Sequence, residues 1–223
     1  MRKPKKILVV DVGGTNVKIR ATGQRAMRKF ASGPGFTPEA MVTKVRALAR
    51  NWRYDALSIG YPGVVLHGKP VVEPHNLGSG WVGFDFDKAF GKPVRVINDA
   101  ALQAIGSYRR GRMLFLGLGT GLGCALIIDG IVEPTELAHL PYKHGRTYEE
   151  YVGERGRKRL GTKKWRKVVA DVTQRLRTAL EVDEVVIGGG NARRLARLPK
   201  KTRRVTNSQA FVGGARLWQA AGR

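Results

Sequence analysis

The chain uses one local plan twice: an apolar strand, a glycine-rich turn carrying a hydroxyl, and a second strand. The first copy is Ile7-Leu8-Val9-Val10 closed by Asp11, then the turn around Gly13-Gly14, then Val17 to Arg20. Ala21-Thr22-Gly23-Gln24 turns the chain back. The second copy is Met113 to Leu118, Gly119-Thr120-Gly121, and Cys124 to Ile128, followed by the hairpin signal Asp129-Gly130. An apolar run of strand length reads as a buried strand. Glycines directly after it let the backbone bend sharply and approach a ligand closely. Repetition of this plan predicts an α/β protein of two units. The expected boundaries are 1–108 and 109–207, with a C-terminal helix in 208–223 packing back on the first unit.

The rest of the chain fits that frame. Thr37-Pro38-Glu39 is a helix start, with proline in the first turn, and Met41, Val42, Val45, Leu48 and Ala49 share one helical face. Leu57 to Gly60 and Val94 to Ile97 read as strands, and Ala100 to Tyr108 as a helix. Val64 to Leu66 and Val71-Val72 flank His67-Gly68-Lys69 as a hairpin. A helix is expected from about Lys164 to Leu180, with Trp165, Val169, Val172 and Leu176 turned inward. Val185-Val186-Ile187 is a strand running into Gly188-Gly189-Gly190, and Ser208 caps a last helix through Trp218.

Composition narrows the function classes. A length of 223 residues is ample for a core, and 42% hydrophobic with 26% charged residues excludes a disordered chain. No apolar run approaches the ~20 residues of a membrane span. The basic start Arg2-Lys3-Pro4-Lys5-Lys6 resembles a secretion leader, but Asp11 cuts the apolar stretch short, so a cytoplasmic protein is expected. A single cysteine, Cys124, excludes an internal disulfide framework and a multi-cysteine zinc site. The net charge of +24 is the unusual feature. A field of that sign attracts polyanions, whether nucleic acid, anionic membrane or a polyphosphate chain. Arg155 to Lys167 holds eight basic residues and no acid, and Arg193 to Arg204 is a second basic run. Both read either as solvated surface or as a track for a long polyanion. No zinc-finger or aromatic stacking pattern accompanies them, so specific nucleic-acid binding is not expected.

Several short motifs carry chemistry. Asp11-Val12-Gly13-Gly14-Thr15-Asn16-Val17-Lys18 joins a carboxylate, paired glycines, a hydroxyl and an ammonium, a set suited to phosphate with hydrated Mg²⁺. Gly119-Thr120-Gly121 repeats that chemistry, and two such turns suggest facing lobes gripping one phosphate donor. Gly188-Gly189-Gly190-Asn191 ends a third strand and opens a helix, another place for close approach. Asn98-Asp99 lies between a strand and a helix, where Asp99 serves either as a plain helix cap or as a base for a hydroxyl nucleophile. Glu136-Leu137-Ala138-His139 sets two hydrogen-bonding groups three residues apart.

In their order and spacing these motifs, with Tyr61-Pro62-Gly63-Val64-Val65-Leu66-His67-Gly68, resemble the ROK family of sugar kinases, and within it the polyphosphate glucokinase branch. The resemblance implies an actin/hexokinase-type (ribonuclease H-like) fold of two lobes with a cleft between them. It implies a homodimer that phosphorylates the 6-hydroxyl of glucose or a close hexose from polyphosphate, ATP or both. Asp99 would be the base. Gly63, Asn76, Asn98, Glu136, His139 and Glu149 would bind the sugar. Gly13, Gly14, Thr15, Lys18, Gly119, Thr120 and Gly121 would hold phosphates, Asp11 would face Mg²⁺ through water, and Gly189, Gly190 and Asn191 would lie near an adenosine. The chain departs from the family in three ways. The cysteine-rich zinc motif after the Glu-x-Gly-His segment is missing, so no zinc is expected. Ala138 replaces the usual glycine, and Ala101 an aspartate common two places after the base. Two other readings remain: an ATP-only kinase and a sugar sensor without catalysis.

Overall fold

Strand β1, Ile7–Val12, is buried at all six positions, so side chains that alternate across it serve two different cores. In the computed structural model, which describes residues 6–219, Leu8, Val10 and Val12 join the cluster containing Met41, Val42, Val45 and Trp81. Ile7 and Val9 face Leu102, Ala210 and Phe211 on the opposite side. The chain forms two compact units. One comprises the chain through Leu102 together with the chain from Ala210 onward; the other is Gln103–Gln209.

The first unit adds β2 (Asn16–Ala21), β3 (Arg28–Ala31), α1 (Pro38–Ala49), β4 (Ala56–Tyr61), the short β5 (Val65–Leu66) and β6 (Lys69–Pro70), α2 (Phe86–Phe90), β7 (Val94–Asn98) and the start of α3 (Asp99–Ser107). Its sheet has the order β3-β2-β1-β4-β7. β1 runs antiparallel to β2 and parallel to β4, and β4 parallel to β7. α1 starts as the sequence reading has it: the Thr37 hydroxyl accepts from Ala40 N, and Pro38 opens the helix.

The second unit holds β8 (Arg112–Leu118), β9 (Leu122–Ile128), β10 (Ile131–Thr135), the small pair β11 (Pro141–Lys143) and β12 (Arg146–Thr147), α4 (Tyr148–Val152), α5 (Glu154–Ala179), β13 (Glu184–Gly188) and β14 (Thr202–Arg204). Its sheet has the order β10-β9-β8-β13-β14. Leu114, Leu116, Val185 and Ile187 pack there with Trp165, Val169, Val172 and Leu176 of α5.

Three expectations need correction, the first being the hairpin, whose arms are Val65–Leu66 and Lys69–Pro70 and leave out Val71-Val72. α5 begins at Glu154 rather than near Lys164. A Cβ at Gly156 would stand 2.2 Å from Tyr151 O, so glycine there permits close packing of α4 on α5. Gly161 is a true break, with φ 73° and ψ 150° inside the helix. The glycines after β13 open only a 3-10 turn, Ala192–Arg194, not a helix. Finally, β14 lies in a basic segment whose sequence carries no strand pattern; pairing with β13 supplies its order.

The last helix, α6, spans Gln209–Arg216, ending two residues before Trp218. Residues 220–223 of the expected C-terminal segment, and residues 2–5 of the basic start, lie outside the described residues. Gly214 permits contact with β1, because a Cβ there would stand 2.5 Å from Val9 Cγ1. Buried Ser58 on β4 donates to Gly214 O at 2.7 Å and accepts from Trp218 Nε1 at 3.0 Å. Ser58→Ala leaves both groups without that partner and should cost about 1–3 kcal/mol. Urea unfolding measures the loss, and limited proteolysis should cut earlier within 205–219 than in the parent.

Candidate active site

The first glycine turn is clamped from the start of the segment after β3. Gly13 N donates to Asn16 O at 3.1 Å, Ser32 Oγ donates to Gly13 O at 2.6 Å, and Ser32 N donates to Thr15 O at 3.0 Å. Asp11, next to last in β1, is only 7% exposed. Cross-strand pairing sets it opposite Lys18, whose Nζ stands 3.4 Å from Asp11 Oδ2. Burial pushes the Asp11 carboxyl up, and the Lys18 charge and hydrogen bond partly oppose that shift. Thr15 is exposed. The segment carrying Asn76 lies against the turn, since a Cβ on Gly14 would stand 3.0 Å from Asn76 Cβ. Asn76 therefore stands beside the first glycine turn of its unit.

At the β7–α3 junction the helix cap is Asn98, not Asp99. Asn98 Oδ1 accepts from Ala100 N at 2.9 Å and Ala101 N at 3.2 Å, and Asn98 Nδ2 donates to Gly63 O at 3.0 Å. One side chain thus fixes the helix start and the Gly63 loop together. Asp99 occupies the first turn of α3, half-buried, with Oδ1 accepting from Ala100 N at 2.8 Å. Gly60 makes room: a Cβ there would stand 2.7 Å from Leu102 Cδ2 and 3.5 Å from Asp99 Cα.

The second glycine turn has its carbonyls taken one after another. Leu118 O accepts from Asn191 N at 2.9 Å, Gly119 O from Asn191 Nδ2 at 3.1 Å, and Thr120 O from Glu154 N at 3.1 Å. Peptide planes are rigid, so carbonyls pinned on one side turn the adjoining amides to the other. Glu149, on α4, accepts from Leu122 N at 3.0 Å, and a Cβ on Gly121 would stand 2.1 Å from Glu149 Oε2. Glu149 therefore lies against the second glycine turn. Glu136 and His139 are exposed and 3.4 Å apart, on the turn between β10 and β11. Cys124 lies buried beneath them on β9; burial, then the nearby Glu136 charge, pushes its thiol up to about 12.

After β13, Gly189 has φ 83°, and a Cβ there would stand 2.3 Å from Leu118 O. Gly190 is exposed with open space around it. Asn191 is buried and turned inward: Nδ2 also faces Glu154 Oε2 at 3.0 Å, and Oδ1 accepts from Arg194 Nε at 3.1 Å. Glu154 in turn takes Arg157 Nε at 2.9 Å and Nη2 at 2.5 Å. Sequence reasoning missed Glu154 and Ser32. Glu154 had a signal: an acid immediately before a basic run, three residues from Arg157, can hold that arginine on a helix.

The basic runs are not uniformly free. Arg157 is paired, Arg159 donates to Glu150 O, Arg166 to Arg194 O, and Arg204 to Ala192 O and Leu195 O; Arg203 pairs with Glu184. Lys158, Lys163, Lys164 and Lys167 are exposed and make no ion pair among the described residues. No three His, Cys, Asp or Glu side chains gather to hold a metal among the described residues. Nor is any helix among them long and apolar enough to cross a membrane.

The fold is of the actin/hexokinase type. Its solved counterparts include an inorganic polyphosphate/ATP-glucomannokinase from Arthrobacter sp. strain KM, with TM-score 0.79 and 24% identity over 98% of this chain and 99% of that one. They also include a ROK family glucokinase from Streptomyces griseus in complex with glucose and AMPPNP, with TM-score 0.72 and 18% identity over 95% and 98%. Residues 7–134 match the ROK family. The chain belongs to that family, and it is of the family's sugar-kinase type. In sequence it is similar to a polyphosphate glucokinase of Mycobacterium tuberculosis (strain CDC 1551 / Oshkosh), 28% identical over 92% of this chain and 88% of the relative.

Hydrogen bonds from Arg157, followed by Asn191, hold the Glu154 carboxyl well down, to about 2. A depressed carboxylate stabilises the fold above its unfolded pKa and loses that contribution as pH falls toward the folded value. Order in the Gly119–Gly121 turn should therefore be full at pH 6 and fade from about pH 4.5 downward, as the unfolded-state value of a glutamate dictates. Amide exchange of this segment, corrected for intrinsic rates, checks the expectation.

Proposed function

We propose that the chain transfers the terminal phosphoryl group of polyphosphate, or of ATP, to the 6-hydroxyl of glucose or a close hexose. The observation that carries the reading is the Gly119–Gly121 turn, where the successive carbonyls of Leu118, Gly119 and Thr120 are all taken by Asn191 and Glu154. Backbone so arranged suits anionic oxygens on its open side. The relatives' names supply the substrate class: polyphosphate and ATP as donors, glucose as acceptor.

Asp99 takes the proton of the 6-hydroxyl as the sugar oxygen forms its bond to phosphorus. The bridging P–O bond breaks at the same centre and the donor leaves one phosphate shorter. Asn98 keeps the helix start and the Gly63 loop in fixed relation, so the base and a sugar-contacting loop move as one piece. Gly63, Glu136, His139 and Glu149 are the further candidates for sugar hydroxyls, and Gly13, Gly14, Thr15 and Lys18 for donor oxygens. Positioning and charge neutralisation account for most of the acceleration in this reaction class.

Asp11 fits Mg²⁺. It is a buried carboxylate beside one ammonium, and Mg²⁺ in kinases is commonly held by one or two carboxylates with waters and substrate phosphates. Bound there with the donor, Mg²⁺ would supply charge neutralisation on the transferred group.

Asp99→Asn should retain sugar binding and lose turnover by about 10² or more, the scale of a positioned base. Calorimetry with glucose and a coupled assay separate the two, and parent-like turnover in the folded variant removes Asp99 from the role. The donor is tested on the lysines free of ion pairs. Changing Lys163, Lys164 and Lys167 together to Gln should raise the KM for long-chain polyphosphate and flatten its salt dependence, because fewer counterions are displaced. The KM for ATP should barely move. Equal responses of the two donors would make these lysines plain solvated surface.

A further inference from the structure

A glycine turn is a poor binding site on its own, because glycine gives up more conformational freedom on ordering than any other residue. Something must hold it before a phosphate arrives. Around Gly119-Thr120-Gly121 the holding groups come from two places far apart in sequence, the start of α5 and the turn after β13. Glu154 N takes Thr120 O, while Asn191 takes Leu118 O through its backbone and Gly119 O through its side chain. The two residues are themselves joined, Asn191 Nδ2 to Glu154 Oε2 at 3.0 Å.

We infer that Glu154 and Asn191, with Arg157 behind them, are positioning residues for the donor phosphate, acting through the Gly119–Gly121 turn. The inference rests on the reading of that turn as a donor site. Each group in the network has a defined task. The Asn191 amide has its orientation fixed at both ends, because Oδ1 accepts from Arg194 Nε and Nδ2 faces two oxygens. Its polar atoms are thereby committed to the protein, so Asn191 acts on the donor from behind rather than touching an adenosine. A carboxylate close to a phosphate turn would repel the ligand if left bare. Arg157 closes two hydrogen bonds on Glu154 and cancels that charge. Arg157 accordingly belongs to the turn and not to a polyanion track on α5.

The test compares the full-length parent with Glu154→Gln, Asn191→Ala and the double variant. Three quantities are read: amide exchange over residues 118–122, the dissociation constant for inorganic tripolyphosphate by calorimetry, and separate KM values for donor and glucose. Glu154→Gln should speed exchange in that segment by about tenfold or more while the rest of β8 and β9 stays protected. Tripolyphosphate binding and donor KM should weaken by about tenfold, with glucose KM within about twofold of the parent. Because both residues act on one turn, the double variant should be little worse than the poorer single. Should either single variant fail to fold, judged by thermal unfolding, the other carries the test, and Arg157→Gln replaces the lost one.

Unchanged exchange, or a glucose KM that moves while donor affinity does not, overturns the inference. A parent that binds tripolyphosphate yet transfers nothing to glucose overturns the function proposed above but leaves the positioning role to be decided by affinity and exchange. A parent that binds no tripolyphosphate overturns both.

Discussion

A peptide plane holds its carbonyl and the next amide on opposite sides, so where the carbonyls of a turn are taken by protein groups the adjoining amides face the other way. In both glycine turns of this chain, carbonyls are taken by groups from other segments, each by its own means. The first uses Ser32, whose hydroxyl and amide take two turn carbonyls from the neighbouring strand segment. The second uses a loop and a helix start, through Asn191 and Glu154. The buried strands fix where these clamps stand. β1 is buried at all six positions and β8 from Met113 to Leu116, so both are held in place by packing on both faces.

Charge is divided between structure and surface. Seen as composition, +24 suggests one broad electropositive coat. In the fold, many arginines are tied down: Arg203 to Glu184, Arg166 to Arg194 O, Arg204 to two carbonyls, and Arg95 to Leu217 O. Guanidinium groups suit this, since a planar fork can satisfy several oxygens at once. Lys158, Lys163, Lys164 and Lys167 of α5 are exposed and make no ion pair among the described residues. A compact ammonium on a flexible stem favours loose, sliding contact with a polyanion over a single fixed geometry.

The strands and helices with regular apolar spacing were legible in the residues alone. Ile7–Val10, Met113–Leu118 and the face Met41-Val42-Val45 needed no tertiary information, because burial and periodicity agree there. Legibility failed where long-range contact overrides local preference. β14 pairs with β13 although its sequence carries no strand pattern, and Gly156 sits in α5 where α4 passes too close for any side chain. Among the site residues, the Asn98-Asp99 pair stood out by place, but which member caps the helix depends on the distant Gly63 carbonyl. Glu154 shows the same limit: its partner Asn191 is separated from it by the whole of α5 and β13.

The position of Cys124 has a consequence for the conditions under which such a chain can work. The sulfur is buried on β9, and its thiol is pushed up to about 12, so almost none of it is thiolate at neutral pH. Oxidants and alkylating agents attack the thiolate. With its only sulfhydryl held in the unreactive form, the protein is indifferent through this residue to peroxide, to glutathione exchange and to swings in cellular redox poise. The buried sulfur therefore serves packing in its unit, against residues such as Leu116 and Leu122, and not redox sensing.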